Sequence, residues 1–226
     1  MRLLFDPAAL HDTYVAARPF PHAVIDGLFE DDAVKAVLDH FPSPGATDWA
    51  RFDNRNERKL GFHHERTFVA PTVRAFLEQM NSFEMLLFLE TLTGIEGLIP
   101  DPYFGGGGLH QIEQGGFLGV HVDFNVHPKL HLHRRLNLLL YLNRGWREEY
   151  GGHLELWNAD ASVCETKILP VFNRTVIFST TETSFHGHPH PLTCPDGWTR
   201  KSVSLYYYTC GRAERSPRHD TIFVTE

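Results

Sequence analysis

The sequence predicts a mainly β protein in which about the first hundred residues supply supporting helices. From residue 105 onward, short apolar runs alternate with Gly, Pro and Asn turns, and no helical pattern separates them. Closely spaced strands of this kind indicate an antiparallel sandwich or barrel. The seven strand-like segments are GLHQIEQ, GFLGVHV, RRLNLLLYLN, GGHLELW, TKILPV, RTVIFST and KSVSLYYYT.

The region before residue 105 combines one strand with several helices. Residues 22–29, HAVIDGLF, are typical of a strand that runs into a turn. Residues 30–41 predict an amphipathic helix behind an acidic first turn, and its apolar face comprises Ala33, Val34, Val37, Leu38 and Phe41. Two more helices are predicted in APTVRAFLEQM and EMLLFLETLTG, the second of which Gly94 can end.

Residues 42–67 are polar and broken by proline and glycine, which predicts a mobile loop. His63 and His64 are expected in this loop. Three arginines of the same stretch hint at an anionic group, but solvated loop charge is the preferred interpretation; they are Arg51, Arg55 and Arg58.

The composition limits the class of protein. With 226 residues, 42% hydrophobic and 22% charged, the chain resembles a globular protein with one domain over residues 1–226. A net charge of −7 argues against nucleic-acid or anionic-membrane partners, because those surfaces need clustered Lys and Arg. The three cysteines lack C-x-x-C spacing, and no long apolar run is present, so a cytoplasmic location is expected.

The stretch GVHVDFN, residues 119–125, places an imidazole and a carboxylate two positions apart. Side chains alternate across a strand, so His121 and Asp123 are expected to project from the same face. Two metal ligands at this spacing make half of a metal site. The chain has fifteen histidines, so any single one is weak evidence.

The third ligand is sought in SFHGHPHPL, which contains His186, His188 and His190. We predict His186, because it follows the apolar strand RTVIFST after a short turn, whereas the other two flank Pro189 in an apparent loop. Two histidines and one carboxylate leave three adjacent positions open on Fe(II). Arg200 opens the final strand, and its planar guanidinium matches a carboxylate.

These motifs together resemble the Fe(II)- and 2-oxoglutarate-dependent oxygenases, most nearly their prolyl-4-hydroxylase-like branch. The resemblance runs in order across residues 104–210, through HVD, LYLNRGW, GGHLELW, FNRTVIFST, FHGHPHPL and RKSVSLYYYT. It implies a double-stranded β-helix, or jelly roll, at 104–210. A support region at 1–103 would precede this core, and a C-terminal tail at 211–226 would follow it.

The resemblance also implies roles for individual residues. His121, Asp123 and His186 would bind Fe(II), and Arg200 would pair with the C5 carboxylate of 2-oxoglutarate. Three further residues are expected at the cosubstrate: Tyr141, Leu154 and Asn137, the last because it shares strand parity with Tyr141. Two departures are that many prolyl hydroxylases use Lys where Arg200 stands, and that His110, Gln111 and Ile112 occupy a region where a tyrosine is often found.

The implied reaction is hydroxylation of an unactivated C–H bond with O2, yielding succinate and CO2, with ascorbate as a stimulant. The expected target is a prolyl residue or another amino-acid-like group, in a peptide or a small molecule; the oligomeric state is left open. Two other functions are weighed: a jelly-roll module that binds metal or ligand without catalysis, and a zinc hydrolase with the same three ligands. Arg200 argues against the first, since a structural metal site needs no carboxylate anchor.

The segment HPKLHLHRR, with His127, His131, His133, Arg134 and Arg135, invites interpretation as a second metal or anion site. A solvated loop over the active-site mouth is the preferred prediction. The YYY run at residues 206–208 is interpreted as edge and core packing.

Overall fold

The computed structural model describes residues 2–63, 67, 69–212 and 216–224. Within these residues, thirteen strands join one antiparallel sheet that is nearly closed as a barrel, and four α-helices accompany it. The predicted mainly β, jelly-roll fold with supporting helices is confirmed. The predicted loop residue His64 lies outside the described residues.

The strands, in chain order, are β1 (His22–Asp26), β2 (Ala50–Asp53), β3 (Glu57–Gly61), β4 (Ile99–Pro100), β5 (Gly108–Glu113), β6 (Phe117–Val122), β7 (His133–Tyr141), β8 (Leu154–Trp157), β9 (Cys164–Ile168), β10 (Arg174–Ser179), β11 (His186–His188), β12 (Thr199–Thr209) and β13 (Ile222–Phe223). Hydrogen-bonded neighbours follow the order β1, β10, β7, β12, β5, β3, β6, β11, β8 and β9. Three short strands are added at the side, β13 on β6, β2 on β3 and β4 on β12.

The helices are α1 (Pro7–Ala16), α2 (Asp31–Asp39), α3 (Pro71–Met80) and α4 (Phe83–Thr93). The start of α4 is capped by the Ser82 hydroxyl, which accepts from the Met85 N–H, and Gly94 ends it with a φ of 70°. The sequence reasoning missed α1. The sequence did contain a signal for the start of this helix, since Asp6 is a favoured N-cap residue and Pro7 is favoured in a first helical turn. In the structure Asp6 accepts a hydrogen bond from the Ala8 N–H at 3.0 Å, and Pro7 occupies the first turn.

Strict alternation along the central strand β7 separates the core from an internal cavity. The even-numbered residues from Leu136 to Leu140 are buried in the core that the helices share. The odd-numbered residues from Asn137 to Tyr141 line the cavity on the other face. Because the side-chain period of a strand is two, one face stabilises the fold while the opposite face is available for chemistry.

The predicted loop at 42–67 is wrong over residues 50–61, where β2 and β3 form a hairpin. The strand β3 lies between β5 and β6 and pairs with both of them. This strand lacks the usual alternation of apolar and polar residues, because charged side chains occupy both of its faces. Arg58 faces solvent, whereas Glu57 and Lys59 line the cavity. Pairing with two neighbouring strands satisfies the backbone, and this tertiary effect overrides a weak local pattern. Arg51, Arg55 and Arg58 are exposed, consistent with solvated charge.

The described part of the expected C-terminal tail, residues 216–224, is tied to the sheet. Ile222 and Phe223 of β13 pair with Val122 and His121 of β6. The Val224 N–H also donates to the Val120 carbonyl at 2.8 Å. Phe223 therefore forms part of the wall of the cavity rather than a free end.

Among the described residues, no helix has the length and apolar character that a membrane crossing requires.

Gly187 controls how closely β11 approaches β6. A Cβ at this position would lie 2.7 Å from the Gly119 carbonyl oxygen and 2.9 Å from the Leu118 carbonyl oxygen. Because both contacts are backbone, we expect Gly187→Ala to push the two strands apart and to lower the free energy of unfolding by about 1–3 kcal/mol. Chemical denaturation would measure the loss.

Gly45→Ala is the matched control, since a Cβ there meets no atom within 4 Å. The control should not be destabilised. Equal stability of Gly187→Ala and the wild-type protein would contradict the close-approach argument.

Candidate active site

Pairing between β11 and β6 brings together two segments that are distant in sequence. In this ladder His186 lies directly opposite His121, and His188 lies opposite Leu118. The register shifts between these two pairs, which marks a bulge in the ladder. Asp123 follows immediately after the end of β6, so all three predicted metal ligands meet at one point.

The three side chains form a compact group of metal-ligating atoms. The Nε2 atom of His121 lies 3.6 Å from Oδ1 of Asp123, and the Nε2 atom of His186 lies 3.4 Å from Oδ2 of the same carboxylate. One ligand atom from each residue lies within 4.8 Å of the others. Donor atoms about 2.1 Å from a shared ion lie about 3 Å apart, so small side-chain adjustments suffice to hold a metal.

Backbone carbonyls orient both imidazoles toward the carboxylate. The Nδ1–H of His121 donates to the Gly119 carbonyl at 2.9 Å, and the Nδ1–H of His186 donates to the Ser184 carbonyl at 2.9 Å. These bonds leave Nε2 as the free lone pair on each ring. Burial lowers the pKa of His186 to about 4, offset in part by Asp123. The ring is therefore neutral near pH 7, as a metal ligand must be.

Two side chains of β7 hold the Asp123 carboxylate. Its Oδ2 atom accepts from Asn137 Nδ2 at 2.7 Å and lies 3.1 Å from Arg134 Nη2. The Asn137 Oδ1 atom in turn accepts from Arg134. Burial alone would raise the pKa of Asp123, but the charge of Arg134 and the adjacent imidazoles hold that pKa well below its usual value. Asn137 lines the cavity as predicted, and its amide positions a predicted ligand.

The predicted solvated loop over the site is wrong for Arg134 and His127, each about 1% exposed. The Arg134 guanidinium lies over the rings of Tyr206 and Phe124, at 3.4 and 4.6 Å from their centroids. A register shift opposite residues 134–136 turns it inward, which the sequence alone does not reveal. His131 is exposed, as predicted.

His127 has a structural place. Its Nδ1 accepts from the backbone N–H groups of Lys129 and Leu130, and its Nε2 lies 3.3 Å from Asp101. Within the described residues, the group of His121, Asp123 and His186 is the single set of three or more side chains with metal-site spacing. The described residues of the segment HPKLHLHRR thus form no group of side chains that would support the alternative of a second metal site.

Arg200 lies in the wall of the same cavity, which has a volume of about 290 Å³. It is 6% exposed, its Nε donates to the Gly152 carbonyl at 2.7 Å, and its Nη2 donates to the Tyr141 hydroxyl at 3.2 Å. No carboxylate of the described residues forms an ion pair with it. A buried cation without a counter-ion is costly, so this end of the cavity is suited to a carboxylate ligand.

The remaining predicted residues also line this cavity. Leu154 and Tyr141 do so, and burial raises the pKa of Tyr141, so its hydroxyl stays protonated. Ile112 faces the cavity opposite Arg200 in the sheet, whereas Gln111 points away and bonds to the Pro42 carbonyl. No tyrosine of β5 reaches the pocket.

His188 was predicted to lie in a loop, and the structure corrects this prediction. It ends β11, is 3% exposed and lines the cavity. Burial, with the positive charges of Arg200 and Lys59, holds its pKa well below the usual value. The prediction failed because Pro189 suggested a loop, whereas a strand can end immediately before a proline. His190 is exposed.

The sequence reasoning also missed an ion pair at the outer part of the cavity. Lys59 Nζ lies 2.9 Å from Glu57 Oε2, and both side chains are mostly buried. Lys59 also lies 5.3 Å from the centroid of Phe52. Residues Glu57 and Lys59 of the segment ERKLG share one face of a strand, which was the available sequence signal. Which face of this strand points into the cavity is set only by its pairing with β5.

Comparison with known proteins follows this geometry. Residues 107–208 match the family model described as the 2OG-Fe(II) oxygenase superfamily. No curated protein sequence is matched by this chain.

Several solved structures share the fold. A prolyl-4-hydroxylase from Pseudomonas putida is similar with a TM-score of 0.60 and 18% identity, covering 91% of this chain and 100% of that one. A prolyl hydroxylase from Trichoplax adhaerens, in complex with a hypoxia inducible factor peptide fragment, has a TM-score of 0.60 and 16% identity, covering 89% and 88%. HygX from Streptomyces hygroscopicus, with nickel, 2-oxoglutarate and hygromycin B bound, has a TM-score of 0.55 and 12% identity, covering 83% and 82%.

The matched segment contains the described cavity strands from β5 to most of β12. The resemblance predicted from the sequence is thereby confirmed: residues 107–208 match the model of the 2OG-Fe(II) oxygenase superfamily, and the chain shares its fold with solved prolyl-4-hydroxylases.

Proposed function

We propose that this protein is an Fe(II)- and 2-oxoglutarate-dependent dioxygenase that hydroxylates an unactivated C–H bond. The observation that carries the proposal is the placement of two complementary groups in one cavity. The triad of His121, Asp123 and His186 lines one part of the cavity, and Arg200 lines another part. Arg200 is a buried cation without a carboxylate partner among the described residues. A diacid that chelates a metal at one end satisfies both.

The donor set fits Fe(II). Two imidazoles and one carboxylate supply three ligands and leave adjacent positions for a bidentate cosubstrate and O2. The Asn137 and Arg134 side chains support the carboxylate, and backbone carbonyls support the imidazoles. An Fe(II) ion held by His121, Asp123 and His186 would supply the oxidation, in which one atom of O2 would enter the succinate formed from 2-oxoglutarate with release of CO2 and the other would enter the substrate. Ascorbate would maintain the ferrous state.

The protein's own residues bind the diacid and exclude water. Arg200 would pair with its distal carboxylate, and the protonated hydroxyl of Tyr141 would donate to the same group. Leu154 and Ile112 give the carbon chain apolar walls. The cavity, at about 290 Å³, lies at the small end for a ligand site, which favours a compact cosubstrate and a small target group.

The substrate proposed for the outer part of the cavity is a prolyl residue or another amino-acid-like group. Glu57 and Lys59 present one charge of each sign there, which suits a substrate with amino and carboxyl groups. The similar folds include one complex with a peptide and one with hygromycin B. These complexes support a substrate that is either a peptide or a small molecule.

We expect His121→Ala, Asp123→Ala and His186→Ala each to reduce succinate formation at least about a hundredfold, because each removes a metal ligand. The measurement is succinate released from 2-oxoglutarate under air with added Fe(II). His40→Ala, on the exposed end of α2, is the control and should retain wild-type turnover. Wild-type metal binding without any succinate would contradict the enzyme proposal and favour a non-catalytic module.

We expect Arg200→Leu to weaken 2-oxoglutarate binding about tenfold to hundredfold, because a charge-assisted pair is lost. Arg200→Lys should recover part of the affinity, since it restores the charge without the planar fork. The apparent KM for 2-oxoglutarate reports both. Loss of a buried cation that lacks a counter-ion should not lower the melting temperature of the ligand-free protein. An unchanged KM in Arg200→Leu would exclude the proposed anchor.

We expect proline-containing peptides or free amino acids to raise succinate formation above the substrate-free rate. For any substrate found, Lys59→Met should raise its KM about tenfold, because a partly buried charged contact is removed. Arg58→Met removes the outward-facing cation of the same strand and serves as the matched control. An equal effect of both variants would show that net charge, and not the cavity contact, matters.

A further inference from the structure

His188 lines the cavity that also contains the triad and Arg200. It lies two residues beyond His186 on β11 and lines the same cavity. Both rings line the cavity, although the register of the ladder shifts between the two residues. His188 therefore faces the same cavity that a diacid reaching from the metal to Arg200 would occupy.

The His188 ring lacks any hydrogen-bond partner among the described residues. Neither Nδ1 nor Nε2 is bonded, although the side chain is 3% exposed. A neutral imidazole has one N–H donor and one lone pair, and burying both without partners is unfavourable. Two side chains of the cavity wall cannot supply a hydrogen bond to His188, because both are apolar: Leu118, which lies opposite His188 in β6, and Leu154. The missing partner is expected inside the cavity.

The other histidines near the site contrast with His188. His121 and His186 each donate from Nδ1 to a carbonyl, and His110 bonds to the Gly106 carbonyl at 3.2 Å. The anchoring of Arg200 by Gly152 and Tyr141 leaves the carboxylate position unfilled by the protein. A donor elsewhere in the wall of the same cavity can share the same acceptor.

We propose that His188 is a cosubstrate-positioning residue: its imidazole N–H donates to the distal carboxylate of the diacid that Arg200 binds. This inference rests on the proposed function. The carboxylate then accepts from Arg200, Tyr141 and His188, and the diacid is held along its length. The contact supplies on the β11 side a hydrogen bond that Ile112 cannot supply from β5.

The test is calorimetric titration of Mn²⁺-loaded protein, in the absence of turnover. Two ligands are compared, 2-oxoglutarate and 2-oxopentanoate, which has the same chain length with a methyl group in place of the distal carboxylate. We expect His188→Leu to weaken 2-oxoglutarate binding about tenfold or more and to leave 2-oxopentanoate binding unchanged. His188→Gln, which keeps a donor, should recover part of the loss.

His190→Leu, an exposed histidine on the same segment, is the matched control and should bind both ligands as the wild type does. Thermal melting of the ligand-free proteins gives a second readout. Because His188→Leu removes an unpaired buried polar group, this variant should melt at or above the wild-type temperature. If His188 had a purely structural role, its replacement would instead lower the melting temperature.

The outcomes separate the two proposals. Unchanged 2-oxoglutarate affinity in His188→Leu, or an equal loss for both ligands, would overturn the role of His188 while leaving the proposed function intact. A wild-type protein that binds Mn²⁺ but not 2-oxoglutarate would overturn both.

Discussion

The pairing of β11 with β6 is the constraint on which the rest of the site depends. It places His186 opposite His121, residues 65 positions apart (186 minus 121), and it leaves Asp123 at the end of the same ladder. The approach is close enough that residue 187 must lack a side chain. A ladder of backbone hydrogen bonds fixes these distances better than side-chain packing alone could, so the triad is held in place by the sheet.

The buried charges of the cavity are arranged asymmetrically. Asp123 is compensated by Arg134, whose guanidinium lies over two aromatic rings. Arg200 has hydrogen bonds but no carboxylate partner among the described residues. One end of the cavity is thus electrically complete before any ligand binds, apart from the metal that the triad would take. The other end carries an uncompensated positive charge, which selects for an anion and makes ligand binding and local stability parts of the same balance.

Local patterns predicted much of this molecule and failed at identifiable places. The short apolar run RRLNLLLYLN predicted β7, and strand parity alone put Asn137 with Tyr141 on the cavity face. The hairpin at 50–61 was missed because β3 carries charges on both faces and gains its order from pairing with β5 and β6. Arg134 was missed for a different reason, since a register shift reversed the face that simple parity assigns to it.

By itself, the sequence determined the residue types and their spacing. It placed a histidine and a carboxylate two positions apart, His121 and Asp123, a distant histidine after a second strand, and Arg200 at the start of β12. Spacing is sufficient for these because strand periodicity is a local property of the backbone. Only the tertiary structure decided which of three histidines faces His121, and that His188 turns its unpaired ring into the same cavity. Such choices depend on which strands become neighbours, and neighbour pairing is set by burial of the whole sheet rather than by any single segment.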